Sequence, residues 1–274
     1  MNKRNSGPRA SRGLRNRYLA VTLASIATAA LVGLVASTSG QSVSSASVAP
    51  CAPRLVEVDL SSLARSPELA NFADQLIMAS AESSIVCDST PLSVVGVAGG
   101  GDYRMILDSA DLASLTPLGP NPTIRSARFS ANDRSELSRL VSHDLLAAYR
   151  ATTSDTTSSV EAFYVLAAQE PSPTHIIAVT PGVDVGPVNL NRPLAAGDGV
   201  RAASSVSVPR LPKGDTFTEV GIGQVDATVP APSTTWIDEI ENFNHALCLK
   251  ATHDLTSCHL LSVATTSQVL DPLN

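Results

Sequence analysis

The chain has 274 residues, of which 43% are hydrophobic and 16% charged, so it is long enough for one ordinary α/β domain and too apolar to be a disordered chain. Six of its 19 Lys and Arg residues lie before residue 18, whereas all 25 Asp and Glu residues lie after it. The remainder therefore carries a net charge of about −12, and because such a surface repels phosphate backbones we expect no nucleic-acid partner for the folded part.

The N-terminal residues have the pattern of an export signal. Residues 1–17 are basic, and residues 18–36 form an uncharged apolar run just long enough to cross a bilayer as a helix. We expect the basic segment to stay in the cytoplasm, which places every later residue outside. Residues 18–36 are predicted to be a transmembrane signal anchor, which the length of the run favours, or a signal peptide cleaved near Ala36. An anchored chain would be a single-pass cell-membrane protein, and a cleaved chain would be secreted.

Four cysteines lie on the predicted outer side of the membrane, where an even number is first interpreted as disulfides. We expect Cys51 to pair with Cys87, each just before a predicted strand, and Cys248 to pair with Cys258, which would join the last helix to the last strand. A zinc site is the alternative, but no two of these cysteines have the C-x-x-C spacing.

Residues 37–50 are small and polar, which is typical of a flexible linker, and residues 51–274 alternate β-prone runs with amphipathic segments. Three adjacent glycines, at positions 99–101, predict a hairpin turn, and a Gly-, Pro- and Ala-rich stretch reaching Lys213 predicts a long loop. Trp236 is expected to pack on the inner face of the last helix. The predicted strands lie within residues 54–60, 91–98, 103–107, 174–180, 217–225 and 258–266, and the predicted helices within residues 66–82, 133–151, 158–169 and 233–251.

Strands that alternate with helices of this length predict a mostly parallel sheet that is covered on both faces. We therefore predict that residues 51–274 form a three-layer α/β domain. Its sheet has six strands, one of them an antiparallel hairpin strand, with helices on both faces, and the domain is preceded by one transmembrane segment.

This order of elements resembles the von Willebrand factor A-type fold, a Rossmann-like sheet in which the third strand runs antiparallel. Val56–Ser62, VEVDLSS, looks like the family's first strand with its DxSxS motif. Asp155–Phe163, DTTSSVEAF, resembles its Thr-bearing loop and the following helix, and His175–Gly182, HIIAVTPG, is similar to its fourth strand.

The resemblance implies three loops that meet at the carboxyl edge of the sheet and hold a divalent cation such as Mg²⁺ through Ser, Thr and Asp oxygens. Asp59 and Ser61 match the first two positions, and Thr156 matches the third loop. The sequence departs from the motif at Leu63, which stands in place of the second Ser, and at Thr180-Pro181-Gly182, which replaces the Asp turn. We therefore expect a degenerate site and no bound cofactor.

The motifs of several enzyme classes are absent from the sequence. It has no G-x-S-x-G elbow, its five histidines form no H-E-x-x-H pattern, and its glycine-rich turn lacks the spacing of a phosphate-binding loop. We predict no catalytic residue.

The predicted function is that of a non-enzymatic interaction module, tethered outside the membrane, whose loops at the carboxyl edge of the sheet bind a protein or a component of the cell envelope. Two alternatives stay open: an extracytoplasmic hydrolase with an unrecognised site, and an accessory subunit of an envelope assembly that pairs through its transmembrane segment. The predicted contact residues are Asp59, Ser61, Ser62, Thr156, Thr157 and Asp184.

Overall fold

A computed structural model describes most of the chain beyond residue 50. The predicted cytoplasmic segment, membrane span and linker fall on residues 1–50 and lie outside the described residues. Among those that are described, no helix is both long and apolar enough to span a bilayer. The described residues are 51–63, 66–87, 90–98, 102–115, 131–151, 160–170, 174–183, 188, 190, 192–224, 233–252, 254–262 and 266–270.

The described strands form one six-stranded sheet in the order β3-β2-β1-β4-β5-β6. All neighbouring strands pair in parallel except β2 and β3, which form the predicted hairpin. The predicted α/β class is confirmed, and this strand order with one antiparallel edge strand is the A-type fold. The strands are β1 (Arg54–Asp59), β2 (Leu92–Val97), β3 (Tyr103–Asp108), β4 (His175–Val179), β5 (Thr216–Val220) and β6 (Cys258–Leu261).

Helices cover both faces of the sheet. Along β1, Val56 and Val58 face a layer formed by α2, α4 and α8, whereas Leu55 belongs to the opposite layer, formed by α5, α6 and α7. Because alternate side chains of a strand point to opposite faces, β1 is buried along its whole length. The helices are α1 (Leu60–Leu63), α2 (Pro67–Val86), α3 (Ser109–Leu115), α4 (Ala131–Ala151), α5 (Val160–Ala167), α6 (Asp198–Ser205), α7 (Thr234–Thr252) and α8 (Thr266–Leu270).

Local contacts explain where helix α2 begins. The Ser66 hydroxyl accepts a hydrogen bond from the backbone N–H of Leu69 at 3.2 Å, and Pro67 occupies the first helical position, as expected. Trp236 is 5% exposed and donates its indole N–H to the backbone carbonyl of Leu190 at 2.9 Å, so its predicted position on the inner face of the last helix is confirmed.

Both predicted disulfides are confirmed. Cys51 is bonded to Cys87, which closes the C-terminal end of α2, and Cys248 on α7 is bonded to Cys258 at the start of β6. The described residues contain no free cysteine.

The predicted loop before Lys213 is wrong in part, because it contains helix α6. Contacts with α7, far away in sequence, stabilise this helix. The Glu239 carboxylate accepts hydrogen bonds from the backbone N–H groups of Gly197 and Gly199, at 3.0 and 2.7 Å, at the N-terminal end of α6. Lys250 Nζ donates to the backbone carbonyls of Ala203 and Val206 at the other end. Each charge lies at the end of α6 whose helix dipole it complements.

The chain after β6 also differs from the prediction. β6 ends at Leu261 instead of continuing to residue 266, where helix α8 begins. Val269 and Leu270 of α8 are buried in the layer that contains α2. This short helix therefore fills the core on that face of the sheet.

Replacing Gly199 with alanine should destabilise the protein, although alanine favours a helix over glycine by about 1 kcal/mol. A Cβ atom at this position would lie 2.1 Å from the backbone carbonyl oxygen of Glu239, so α6 and α7 would have to separate. We expect urea unfolding to show a loss of about 1 to 3 kcal/mol. Ser204→Ala, at an exposed position of the same helix, is the matched control and should change stability by less than about 0.5 kcal/mol. A stabilised Gly199→Ala protein would contradict this close helix contact.

Candidate functional site

The two central strands, β1 and β4, end side by side at the point where the topology of the sheet reverses. The chain leaves β1 toward α2 on one face of the sheet, and it leaves β4 toward α6 on the other. In open α/β sheets such a reversal opens a crevice at the carboxyl ends of the strands, and ligands bind there. The side chains that follow β1 and β4 therefore define the candidate site.

Asp59, the last residue of β1, lies at the centre of a hydrogen-bonded cluster. Its Oδ1 atom accepts from the backbone N–H of Ser61 at 3.0 Å, from the Ser61 hydroxyl at 2.6 Å and from the backbone N–H of Ser62 at 3.2 Å. Its Oδ2 atom accepts from the Ser62 hydroxyl at 2.7 Å. Asp59 thus fixes the first turn after β1, where the short helix α1 begins.

Thr180 joins this cluster from β4. Its hydroxyl donates to Asp59 Oδ2 at 3.4 Å and accepts from the backbone N–H of Gly182 at 3.2 Å. Gly182 has a φ of 69°, and its carbonyl accepts a hydrogen bond from the Asn244 amide at 2.9 Å. The contact between Asp59 and Thr180 therefore links the two central strands across the topological reversal.

The structure brings three of the six predicted contact residues together. Asp59, Ser61 and Ser62 are 1%, 6% and 5% exposed, and Thr180 is 2% exposed. These four residues therefore lie beneath the surface of the site, and we call them its floor. The other three, Thr156, Thr157 and Asp184, lie outside the described residues.

The described residues of the cluster do not form a cation site by themselves. They supply one carboxylate, and both of its oxygens accept hydrogen bonds from Ser61, Ser62 and Thr180. Leu63, which replaces the second motif Ser, packs against the apolar layer that contains α2. In the parts of the chain that are described, no group of three or more His, Cys, Asp or Glu side chains is arranged to hold a metal ion.

Thr180 is a member of the cluster that the sequence did not predict, because its place in the motif is that of the missing Asp turn. A signal was present in the sequence. Thr180 directly follows four consecutive apolar residues, Ile176–Val179, and the carboxyl ends of central parallel strands lie at one edge of the sheet.

Two further acids, Glu57 on β1 and Glu219 on β5, are buried just below this edge and are 0% exposed. Burial raises the pKa of Glu219 to about 8. Burial, and then the negative charges of Glu170 and Glu219, raise the pKa of Glu57 well above its ordinary value. Burial therefore favours the protonated form of both groups, unless a nearby positive charge stabilises the ionised form.

His175 lies at the opposite, amino end of β4. Its Nε2 atom is 3.2 Å from the Thr218 hydroxyl, and burial, followed by the nearby Arg54 and His259, lowers its pKa to about 4. The imidazole is therefore neutral at physiological pH and lies at the other edge of the sheet from Asp59. This position does not make His175 a base for the Ser61 or Ser62 hydroxyl.

No family model and no curated protein matches the chain. Among solved structures, it is similar to proximal thread matrix protein 1 from the mussel byssus, with 11% identity, a TM-score of 0.36, and coverage of 80% of this chain and 45% of that one. The match thus spans less than half of the mussel protein. Another structure of that protein has a zinc-occupied MIDAS motif.

Two bacterial structures match over most of their own length. An aerotolerance-related membrane protein from Bacteroides fragilis has 13% identity, a TM-score of 0.38, and coverage of 80% of this chain and 94% of that one. The conserved hypothetical protein BatB from Bacteroides thetaiotaomicron has 14% identity, a TM-score of 0.38, and coverage of 80% and 93%.

The raised pKa of Glu219 predicts that stability falls as the pH rises. The folded state holds a proton that the unfolded state releases above pH 4.5, so this contribution is complete below pH 4.5 and is lost as the pH rises through about 8. In metal-free buffer, we expect urea unfolding to show a loss of roughly 3 to 5 kcal/mol between pH 5 and 9. Glu219→Gln should reduce this dependence to the part that Glu57 contributes, whereas the control Glu82→Gln, at a half-exposed position, should leave it unchanged. Equal pH dependence in wild type and Glu219→Gln would contradict the assignment.

Proposed function

We propose that this chain is an extracytoplasmic, membrane-tethered interaction module without enzymatic activity. The carboxyl edge of its sheet binds a protein or another component of the cell envelope. The observation that carries this proposal is the hydrogen bond between Asp59 and Thr180, which builds an ordered polar floor at the topological reversal of the sheet.

The two disulfides support the location outside the membrane. Such bonds form and persist in oxidising compartments and are rare in the cytosol of most organisms. Cys51–Cys87 and Cys248–Cys258 leave no free thiol among the described cysteines, which together are all four of the chain. The basic residues 1–17 followed by the apolar residues 18–36 supply a matching export signal.

The structure of the floor supports binding without a cation bridge. In the A-type arrangement that the sequence resembles, a bound cation offers a vacant position to a carboxylate of the partner. Here both oxygens of the Asp59 carboxylate accept hydrogen bonds from Ser61, Ser62 and Thr180 instead. The partner would therefore contact exposed residues around the edge, and the buried cluster would hold those residues in place.

Photo-cross-linking on cells that produce the full chain tests which edge is the binding surface. We expect a benzoylphenylalanine at Asp102 or Ser262, both exposed near the carboxyl edge, to capture a partner in a covalent adduct. The matched controls are Lys213 and Leu255, which are exposed near the amino edge, just before β5 and β6. Adducts at the control positions alone would place the interface on the other edge and contradict the proposal.

Thiol labelling tests the compartment separately. A membrane-impermeant maleimide should label the four cysteines of intact cells only after a reductant has opened the two disulfides. The mature chain should fractionate with the membrane if residues 18–36 are retained, and with the medium if they are cleaved. A chain found in the cytosol with four free thiols would contradict the extracytoplasmic location.

A further inference from the structure

Several buried oxygen atoms near the carboxyl edge have no hydrogen-bond partner. Both carboxyl oxygens of Glu57, both of Glu219 and the amide oxygen of Asn244 are without partners among the described residues, and all three side chains are 0% exposed. The hydroxyl of Tyr164, which is also 0% exposed, is a donor without a partner in the same layer. Five acceptor atoms and one donor are therefore buried between the sheet and helices α5 and α7.

Strand register places the two glutamates in one row on the same face of the sheet. Glu57 on β1 pairs with Ala178 on β4, and Ala178 pairs with Glu219 on β5, so the three residues form one row on one face of the sheet. Neighbouring strands are about 4.8 Å apart, which separates the two glutamate Cα atoms by about 10 Å. Ala178, which lies between them in this row, carries only a methyl group.

The helices supply the remaining polar groups from above. Tyr164 on α5 stacks on Phe217 with ring centroids 4.5 Å apart, and burial, followed by the charges of Glu219 and Glu57, raises the pKa of its hydroxyl well above the ordinary value. A Cβ atom built on Gly182 would lie 2.5 Å from Asn244 Nδ2 and 3.2 Å from Glu219 Oε1, so the amide and this carboxyl lie at the same glycine.

The Asn244 amide is held in a fixed orientation. Its Nδ2 atom donates to the backbone carbonyls of Gly182 and Ile240, each at 2.9 Å. Both amide hydrogens are thereby used, and the oxygen stays unpartnered. A fixed carbonyl oxygen beside two carboxylates is a ligand set that hard divalent cations prefer.

We propose that Glu57 and Glu219, with the amide oxygen of Asn244 as a third ligand, bind one divalent cation of the oxygen-preferring class, such as Ca²⁺, Mn²⁺ or Mg²⁺. One such ion balances both buried charges and satisfies acceptor atoms that have no hydrogen-bond partner among the described residues. The Tyr164 hydroxyl then serves as a hydrogen-bond donor to a bound carboxylate. This site goes beyond the proposed function, because it stabilises the layer beneath the binding edge and does not contact the partner.

The site differs from the one that the A-type resemblance implies. Glu57 precedes Asp59 by two residues, and Glu219 and Asn244 belong to β5 and α7, which the A-type motif does not use. The oxygens of Asp59 already accept hydrogen bonds from its own turn, whereas those of the two glutamates do not. Substitutions can therefore separate the two locations.

The test measures cation binding to the full chain with its disulfides intact. The protein is treated with a chelator, desalted and dialysed against Ca²⁺, Mn²⁺ or Mg²⁺ in turn, and bound metal is measured by mass spectrometry. At neutral pH we expect one equivalent of at least one of these ions and a higher thermal unfolding midpoint. Glu57→Gln and Glu219→Gln, which keep the side-chain shape, should each weaken binding on the order of tenfold or more.

Controls make each outcome decisive. Asp59→Asn should retain the ion, and so should Glu136→Gln, the same chemical change at an exposed position. Loss of the ion in Asp59→Asn but not in the glutamine variants would assign it to the strand-end cluster and overturn the proposal. Absence of binding by the wild-type chain would also overturn it and would leave the two glutamates as protonated carboxyl groups. Neither result would affect the cross-linking test of the binding edge.

Discussion

Burial of the central strands on both faces is the constraint on which the rest of the structure depends. Helices cover β1 and β4 on each side, so solvent does not reach their polar side chains and these must find partners within the fold. Asp59 finds them in Ser61, Ser62 and Thr180. Glu57, on the same strand, has none among the described residues. The hydrogen bonds of Asp59 are therefore satisfied within its own cluster, whereas Glu57 requires a proton or a cation.

Much of this fold could be predicted because the signals are local. The Val- and Leu-rich runs identify the strands, Ser66 and Pro67 mark the beginning of α2, and the glycines at 99–101 mark the hairpin. Helix α6 could not be predicted in this way. Its eight residues, DGVRAASS, show no extended apolar pattern. The charges that stabilise its ends, Glu239 and Lys250, come from α7, and their contacts span 40 to 47 residues of sequence.

The site was predictable only where its residues are neighbours in sequence. Asp59, Ser61 and Ser62 were found because one motif contains them, whereas Thr180 reaches Asp59 from 121 residues away. Glu57 and Glu219 left a weaker signal, a single acid at an interior position of each of two strands; the other charged residues of β1, Arg54 and Asp59, are at its ends, and β5 has no other. Their common position follows from the register of β1, β4 and β5, which depends on how the whole sheet assembles.

The position of β1 and its adjoining disulfide determines how the domain would respond to mechanical load. Cys51 lies at the amino edge of the sheet, just before β1. A force applied to the chain before Cys51 would be transmitted through the disulfide to Cys87 at the end of α2, as well as to β1. β1 is hydrogen-bonded on both sides, to β2 and to β4. If the proposed membrane anchor and the proposed partner pulled on opposite edges of the sheet, the tension would run along β1, and both ladders would resist in shear together instead of opening one bond at a time.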